Sequence, residues 1–272
     1  MNGEIAQFVA LTSHGNAFLS GGYDARDFYP ANSAFKFCNA VSFVEVKKFI
    51  KTRETEVAED PNTWFDTLKA GGCRRLHIGH RPSSNPIAPE RMLAGFVGGG
   101  GTWFAAAAYP ERADHWLTRW EVSAPDAPDQ RIWKVTYGKV ASDKRVPQFE
   151  APDLSARREE LESVLARIES FAREHDIEFF ASCFSKALEA LASDEPAMPP
   201  YYPDLLPPVG YSTEARRILA ACAYAWVFGG MGSWNDLGFE SVEDQQEYER
   251  LSEELYVAVN RGIEKGANSY GR

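Results

Sequence analysis

Long apolar runs are missing from this chain of 272 residues. The longest, Ile218 to Phe228, falls well short of the ~20 residues that cross a bilayer. Met1 to Phe8 has neither the basic flank nor the apolar core of a signal peptide, so no membrane association and a cytoplasmic location are expected. Positive charge is also scarce. Lys plus Arg number 29 against 39 Asp plus Glu, a net charge of −10, and the pI is near 5.1. That balance opposes attraction to phosphate backbones, so nucleic acid is not an expected partner.

Cysteine is sparse and dispersed, at Cys38, Cys73, Cys183 and Cys222. A chain of this length needs no covalent staples, and free thiols are expected. No C-x-x-C or C-x-x-H pair occurs, so no metal site is expected. A Walker loop, G-x-S-x-G, H-E-x-x-H and an EF-hand loop are likewise absent, as are repeats and low-complexity tracts, and no cofactor is expected.

What is present is ordinary globular composition, 44% hydrophobic and 25% charged, enough to bury a core. The period of two in "HWLTRWEVSA" sets Trp116, Thr118, Trp120 and Val122 on one strand face and Arg119 and Glu121 on the other. "TWFAAAAY" before it and "RIWKVTYGKV" after it complete a three-stranded meander, with "AFKFCNAVSFVEVKKF" and "RRLHIGH" adding strands and "NTWFDTLKAGG" a short Asn-capped helix. The period then becomes helical, with a stripe of Leu161, Leu165, Ile168 and Phe171, a helix in "IEFFASCFSKALEALAS", a buried helix over 213–228 and a last helix after Ser241 whose buried stripe is Tyr248, Leu251, Leu255 and Val259. The proline-rich "EPAMPPYYPDLLPPVGY" reads as a connector pressed onto the body. The expected fold is α+β, an antiparallel, aromatic-rich sheet region over 1–148 packed against a mainly helical region over 149–272, the two together forming one compact domain or two packed halves.

Candidate sites follow from local chemistry. In "TSHGNAFL", His14 can serve as a general base with Asn16 as its orienter, and the alternative is a plain Gly-Asn turn. Cys73 beside Arg74 and Arg75 is placed for a thiolate, or it marks a glycine-terminated helix entering a strand. His77 and His80, three apart on a strand, point to opposite faces and cannot share an ion. The Gly98–Gly101 run reads as a hairpin or lid.

In "FGGMGSWNDLGF" the two glycines at 229 and 230 end a helix, and the rest of the loop outlasts an ordinary helix-helix connection. Ser233 and Asp236 are expected to cap a single turn, with Trp234 filling the core and Asn235 and Asp236 presented beside it. From 236 to 256 eight carboxylates stand against Arg250 alone, and Glu249, Glu253 and Glu254 lie beyond the helix turn whose dipole favours acids.

Two functions fit these features. One is a non-enzymatic recognition protein, of the inhibitor or immunity kind, whose acidic ridge and 233–236 loop bind a basic protein. The other is a small-molecule enzyme with a pocket between sheet and helices, drawing on His14, Asn16 and the 233–236 loop.

Overall fold

The computed structural model describes residues 1–48, 52–83, 88–96, 98–143 and 152–271. The expected meander forms: β4 (Thr102–Ala108), β5 (Ala113–Val122) and β6 (Trp133–Asp143) pair antiparallel in succession. Its register, with Ala105 opposite Trp116 and Thr118 opposite Tyr137, collects the large rings on the face that the helices cover. On the far side of β4 lies β3 (Arg75–Arg81), also antiparallel. A hairpin of β1 (Cys38–Lys48) and β2 (Thr52–Ala58) completes the order β2-β1-β6-β5-β4-β3.

The sheet is mixed rather than antiparallel throughout, because β1 runs parallel to β6, with Val41 beside Val135 and Phe43 beside Tyr137. A parallel pair requires a long crossover, and the chain between β1 and β6 supplies one containing three intervening strands of the same sheet besides β2. In β2 the side chains from Thr52 to Glu56 are exposed, so this edge strand lacks the apolar alternation by which strands are recognised. Phe43 joins the two strand groups physically, stacking 4.3 Å from Trp64 and 4.9 Å from Tyr137.

Helix α1 (Gly3–Leu19) is the main departure from expectation, since it absorbs the "HGN" stretch read as a turn. Every residue from Ile5 to Ala17 is buried, so polar and apolar positions do not separate into a stripe and the helical period is hidden. Gly15 sits mid-helix for packing, not turning: a Cβ there would lie 2.4 Å from Leu76 Cδ1 and 2.8 Å from Phe65 Cε1. Helix α2 (Pro61–Ala70) starts one step before the expected Asn cap, with Asp60 accepting from Thr63 N–H and Pro61 in the first turn.

After the short α3 (Glu90–Leu93), the second half contains α4 (Leu154–Glu174), α5 (Glu178–Ala192), α6 (Thr213–Tyr224) and α7 (Val242–Ala267), packed mainly on one another. The expected stripe of α4 and that of α7 (Tyr248, Leu251, Leu255 and Val259) are both buried. Helix α6 ends at Tyr224 rather than at Gly229, because the loop folds back and Trp234 N–H donates to the Val227 carbonyl at 3.2 Å. Helices are thus not confined to the second half, and the apolar core runs unbroken from Phe8 and Trp64 to Leu165 and Leu255. The expected boundary between 148 and 149 lies outside the described residues.

The free edge of β3 is closed by side chains. Asn16 of α1 accepts from Leu76 N–H at 2.7 Å and donates to the Leu76 carbonyl at 2.9 Å. Asn268, at the C-cap of α7, repeats the pattern on Ile78 at 2.9 and 2.8 Å. Each carboxamide reproduces one residue of a neighbouring strand, so backbone groups that would otherwise invite another chain are satisfied internally.

Candidate functional site

The three candidates for catalysis have separate partners. His14 is buried in α1, where Nε2–H donates to the Asp204 carbonyl at 3.0 Å and Nδ1 accepts from the Tyr23 hydroxyl at 2.9 Å. Both ring nitrogens are engaged as a neutral imidazole, and burial pushes the group's pKa down to about 4. Asn16 is spent on Leu76 and orients nothing on His14. Cys73 is buried, donates to the Arg75 carbonyl at 3.5 Å, and is pushed up to about 12, chiefly by burial. The expected activation by Arg75 fails because that guanidinium turns away to the carbonyls of Asn268 and Tyr270 at 3.0 and 2.5 Å. All four cysteines are free.

The 233–236 stretch forms a single 3-10 turn over Trp234–Asp236, capped as expected. The Ser233 hydroxyl accepts from Asn235 N–H, and Asp236 accepts from Ser233 N–H at 3.0 Å. Trp234 is fully buried, its indole N–H donating to Ser252 Oγ at 2.8 Å and its ring meeting Phe180 and Phe184 edge-on at 5.3 Å. Asn235 departs from expectation. Instead of facing water it is buried, donating to the Arg91 carbonyl at 2.8 Å and accepting from Arg91 Nη1 at 3.2 Å.

Of the glycines of this loop Gly232 is required by its positive φ of 79°, while Gly229 and Gly230 receive a glycine from the other side. A Cβ on Gly95 would lie 2.2 Å from the Gly229 carbonyl carbon, so the chain after α3 and the loop after α6 touch backbone to backbone. Within the Gly98–Gly101 run Gly98 faces open space at a positive φ, while a Cβ on Gly99 would lie 2.3 Å from the Leu93 carbonyl oxygen and one on Gly101 2.5 Å from Glu90 Oε1, both of α3.

Along α7 the acidic ridge carries some of its own cations. Glu254 pairs with Arg250 at 2.6 Å and with Arg167 of α4 at 2.7 Å, and Glu247 pairs with Arg250 at 2.6 Å. Among the described residues Glu249 accepts only from the uncharged Gln245, at 2.8 Å, and Glu253 makes a long ion pair with Arg91 Nε at 3.8 Å. Among the described residues Asp236, Glu240, Glu243 and Glu249 have no lysine or arginine partner, so the excess negative charge runs along the first half of the ridge and reaches the Glu249 and Glu253 pair, the latter only loosely met by Arg91.

Those two carboxylates and Asn235 line one groove of about 560 Å³, together with Met92, Leu237 and Tyr248. Arg91 is built into its floor: buried, 5.5 Å over the Tyr248 ring, and bonded to Asn235. Sequence reasoning missed Arg91, because a lone arginine in a four-residue helix has no pattern to mark it. Ser233, Trp234 and Asp236 shape the turn behind the groove, and Glu254 belongs to a separate hollow beside α4. No grouping of three or more His, Cys, Asp or Glu side chains able to hold a metal occurs among the described residues, and no described helix is long and apolar enough to cross a membrane. No protein family, curated protein or solved structure matches the chain.

Two outcomes follow from this geometry. Trp234→Ala removes a fully buried indole and its bond to Ser252, and denaturant unfolding should show a loss of about 3 to 5 kcal/mol; a loss under about 1 kcal/mol would place the ring outside the core. His14 gains a proton near pH 6.5 in the unfolded chain and only near 4 in the folded one. Protons therefore favour unfolding across that window, and stability should fall by about 3 kcal/mol as pH drops from 6.5 to 4. Urea titrations of wild type and His14→Gln over this range should give a shallower fall in the variant, and an unchanged slope contradicts the assignment.

Proposed function

We propose that the protein is a recognition module, in the manner of an inhibitor or immunity protein, that docks a basic segment of another protein in the groove between α3, the 3-10 turn and α7. The observation that carries this reading is the convergence of Asn235, Glu249 and Glu253 with Met92 in one groove. Met92 and Tyr248 offer apolar contact, while Glu249 has no arginine partner among the described residues and Glu253 meets buried Arg91 only at 3.8 Å, which leaves two carboxylates against one guanidinium in the groove. A net charge of −10 extends the attraction beyond the groove.

Exposed apolar side chains border the same junction. Phe96 is 62% exposed, and Met231 stands fully in solvent on the loop whose Gly229 abuts Gly95. Large apolar groups left in water beside a charged groove are a feature of docking surfaces. An enzymatic reading through His14, Asn16 and the 233–236 loop has less support, since the first two are engaged in holding α1 and Asn235 in holding Arg91.

The test uses a partner recovered by affinity capture and then purified. Reversing Glu249 and Glu253 to Lys should slow association by about tenfold and flatten its salt dependence, with the protein still folded despite a stability loss from the broken Glu253–Arg91 pair. The same reversal at Glu159 and Glu162, exposed on α4, should have a much smaller effect. Equal effects from the two pairs would reduce the interaction to bulk charge and remove the groove from it.

A further inference from the structure

A second concavity, of about 290 Å³, opens where the first turn of α1 meets the sheet. Its walls are aromatic: Trp120 from β5, Trp133 from β6, Phe37, Phe96 and Tyr202. The two indoles meet edge to face at 5.8 Å, and Phe37 and Phe96 are exposed at 46% and 62%. Glu4, in the first turn of α1, brings a half-buried carboxylate among these rings. Its Oε1 accepts from the Thr118 hydroxyl, and its Oε2 has no protein donor among the described residues.

The other polar side chains of the cleft are occupied with the protein itself. Asn2 accepts from Ile5 N–H at 2.9 Å and donates to the Ala94 carbonyl at 3.2 Å. Gln7 donates to the Ala34 carbonyl and to Cys38 Sγ and accepts from the Tyr137 hydroxyl. Ser33 donates to Asp204 through both its hydroxyl and its N–H. A ligand rich in hydrogen-bonding groups would find few free partners here. An anion would face the half-buried Glu4, with only the exposed Lys36 ammonium, already set on Phe37, Tyr202 and the Tyr201 carbonyl, to offset it, and a neutral apolar molecule would strip water from a carboxylate without replacing it.

We propose that this cleft binds a small quaternary ammonium ion, with its charge met by Glu4 and by the ring faces of the aromatic wall. Such a cation asks for no hydrogen-bond acceptors, and it gains from ring quadrupoles and from a carboxylate in a partly dry site. Lys36 also lines the cleft, and its exposed ammonium already lies 5.0 Å from the Phe37 centroid and 5.6 Å from that of Tyr202, so the rings left for a bound cation beside Glu4 are Trp120, Trp133 and Phe96. Burial raises the Glu4 carboxyl above its usual range against the opposing Thr118 bond, and a bound cation draws it back toward the ionised form. The site is distinct from the groove, and neither proposal depends on the other.

The test compares choline with the uncharged alcohol that carries tert-butyl in place of trimethylammonium, and with the tert-butylacetate anion. Binding is followed through the indole N–H signals of the seven tryptophans by nuclear magnetic resonance. Choline should shift the Trp120 and Trp133 signals saturably and bind about tenfold or more tighter than the alcohol. Glu4→Gln, which can still accept from Thr118, should erase that preference while the other indole signals keep their native positions. Equal affinity for the alcohol, tighter binding of the anion, or no shift at Trp120 and Trp133 overturns the proposal.

Discussion

At Leu76 and Ile78 the backbone of β3 turns its N–H and C=O groups away from β4, and the side chains of Asn16 and Asn268 receive all four. Each hydrogen bond is worth only about 0.5 to 1.5 kcal/mol, but leaving such groups buried and unpaired costs more. The geometry matters beyond the energy. One carboxamide fixes α1 against the sheet and the other fixes the end of α7, so two helices distant in sequence take their places from alternate residues of one strand. Once α1 is placed, its first turn necessarily meets Trp120, a Cβ on Gly3 lying 3.5 Å from that ring. Once the end of α7 is placed, the helix runs back past Tyr256 and Tyr248 toward the 3-10 turn.

Closing β3 also restricts how the molecule can meet a partner. Strand addition needs a free row of backbone groups, and the opposite edge, β2, carries exposed Arg53, Glu54 and Glu56, charges of the kind that discourage edge pairing. The docking proposed above therefore rests on side chains, and those of both candidate surfaces meet at the segment around α3. Glu90 ties α3 to the body by accepting from His80, Ser83 N–H and the Tyr256 hydroxyl at 2.9, 2.6 and 2.8 Å. These donors outweigh the burial that opposes them and hold its carboxyl at about 2. Arg91 then faces the groove, while Ala94, Gly95 and Phe96 line the aromatic cleft. One short anchored segment thus borders both candidate surfaces.

The meander, the stripes of α4 and α7 and the capped turn around Trp234 were legible because each rests on a local period or cap: alternation over Trp116 to Trp120, steps of three and four from Leu161, and Ser233 with Asp236. Helix α1 was not, since burial on every side erases the stripe, and Gly15 imitates a turn while serving contact with Leu76. The parallel pairing of β1 with β6 was invisible because it joins residues far apart along the chain. Of the candidate site, the acidic excess at Glu249 and Glu253 was readable from charge spacing. Its partial neutralisation at Glu254 was not, because Arg167 arrives from another helix. Asn16 and Asn268 gave no local signal of their strand-like role, which exists only once β3 lies alongside.

The edge closure is tested most directly by amide hydrogen exchange at Leu76 and Ile78. If the carboxamides pair with the strand, both amides should exchange slowly in the native protein, close to the rate set by global unfolding. Asn16→Ala should then release Leu76 while leaving Ile78 protected, once the overall stability change is subtracted. Rapid exchange at both amides in the native protein, as at an open sheet edge, would contradict the account.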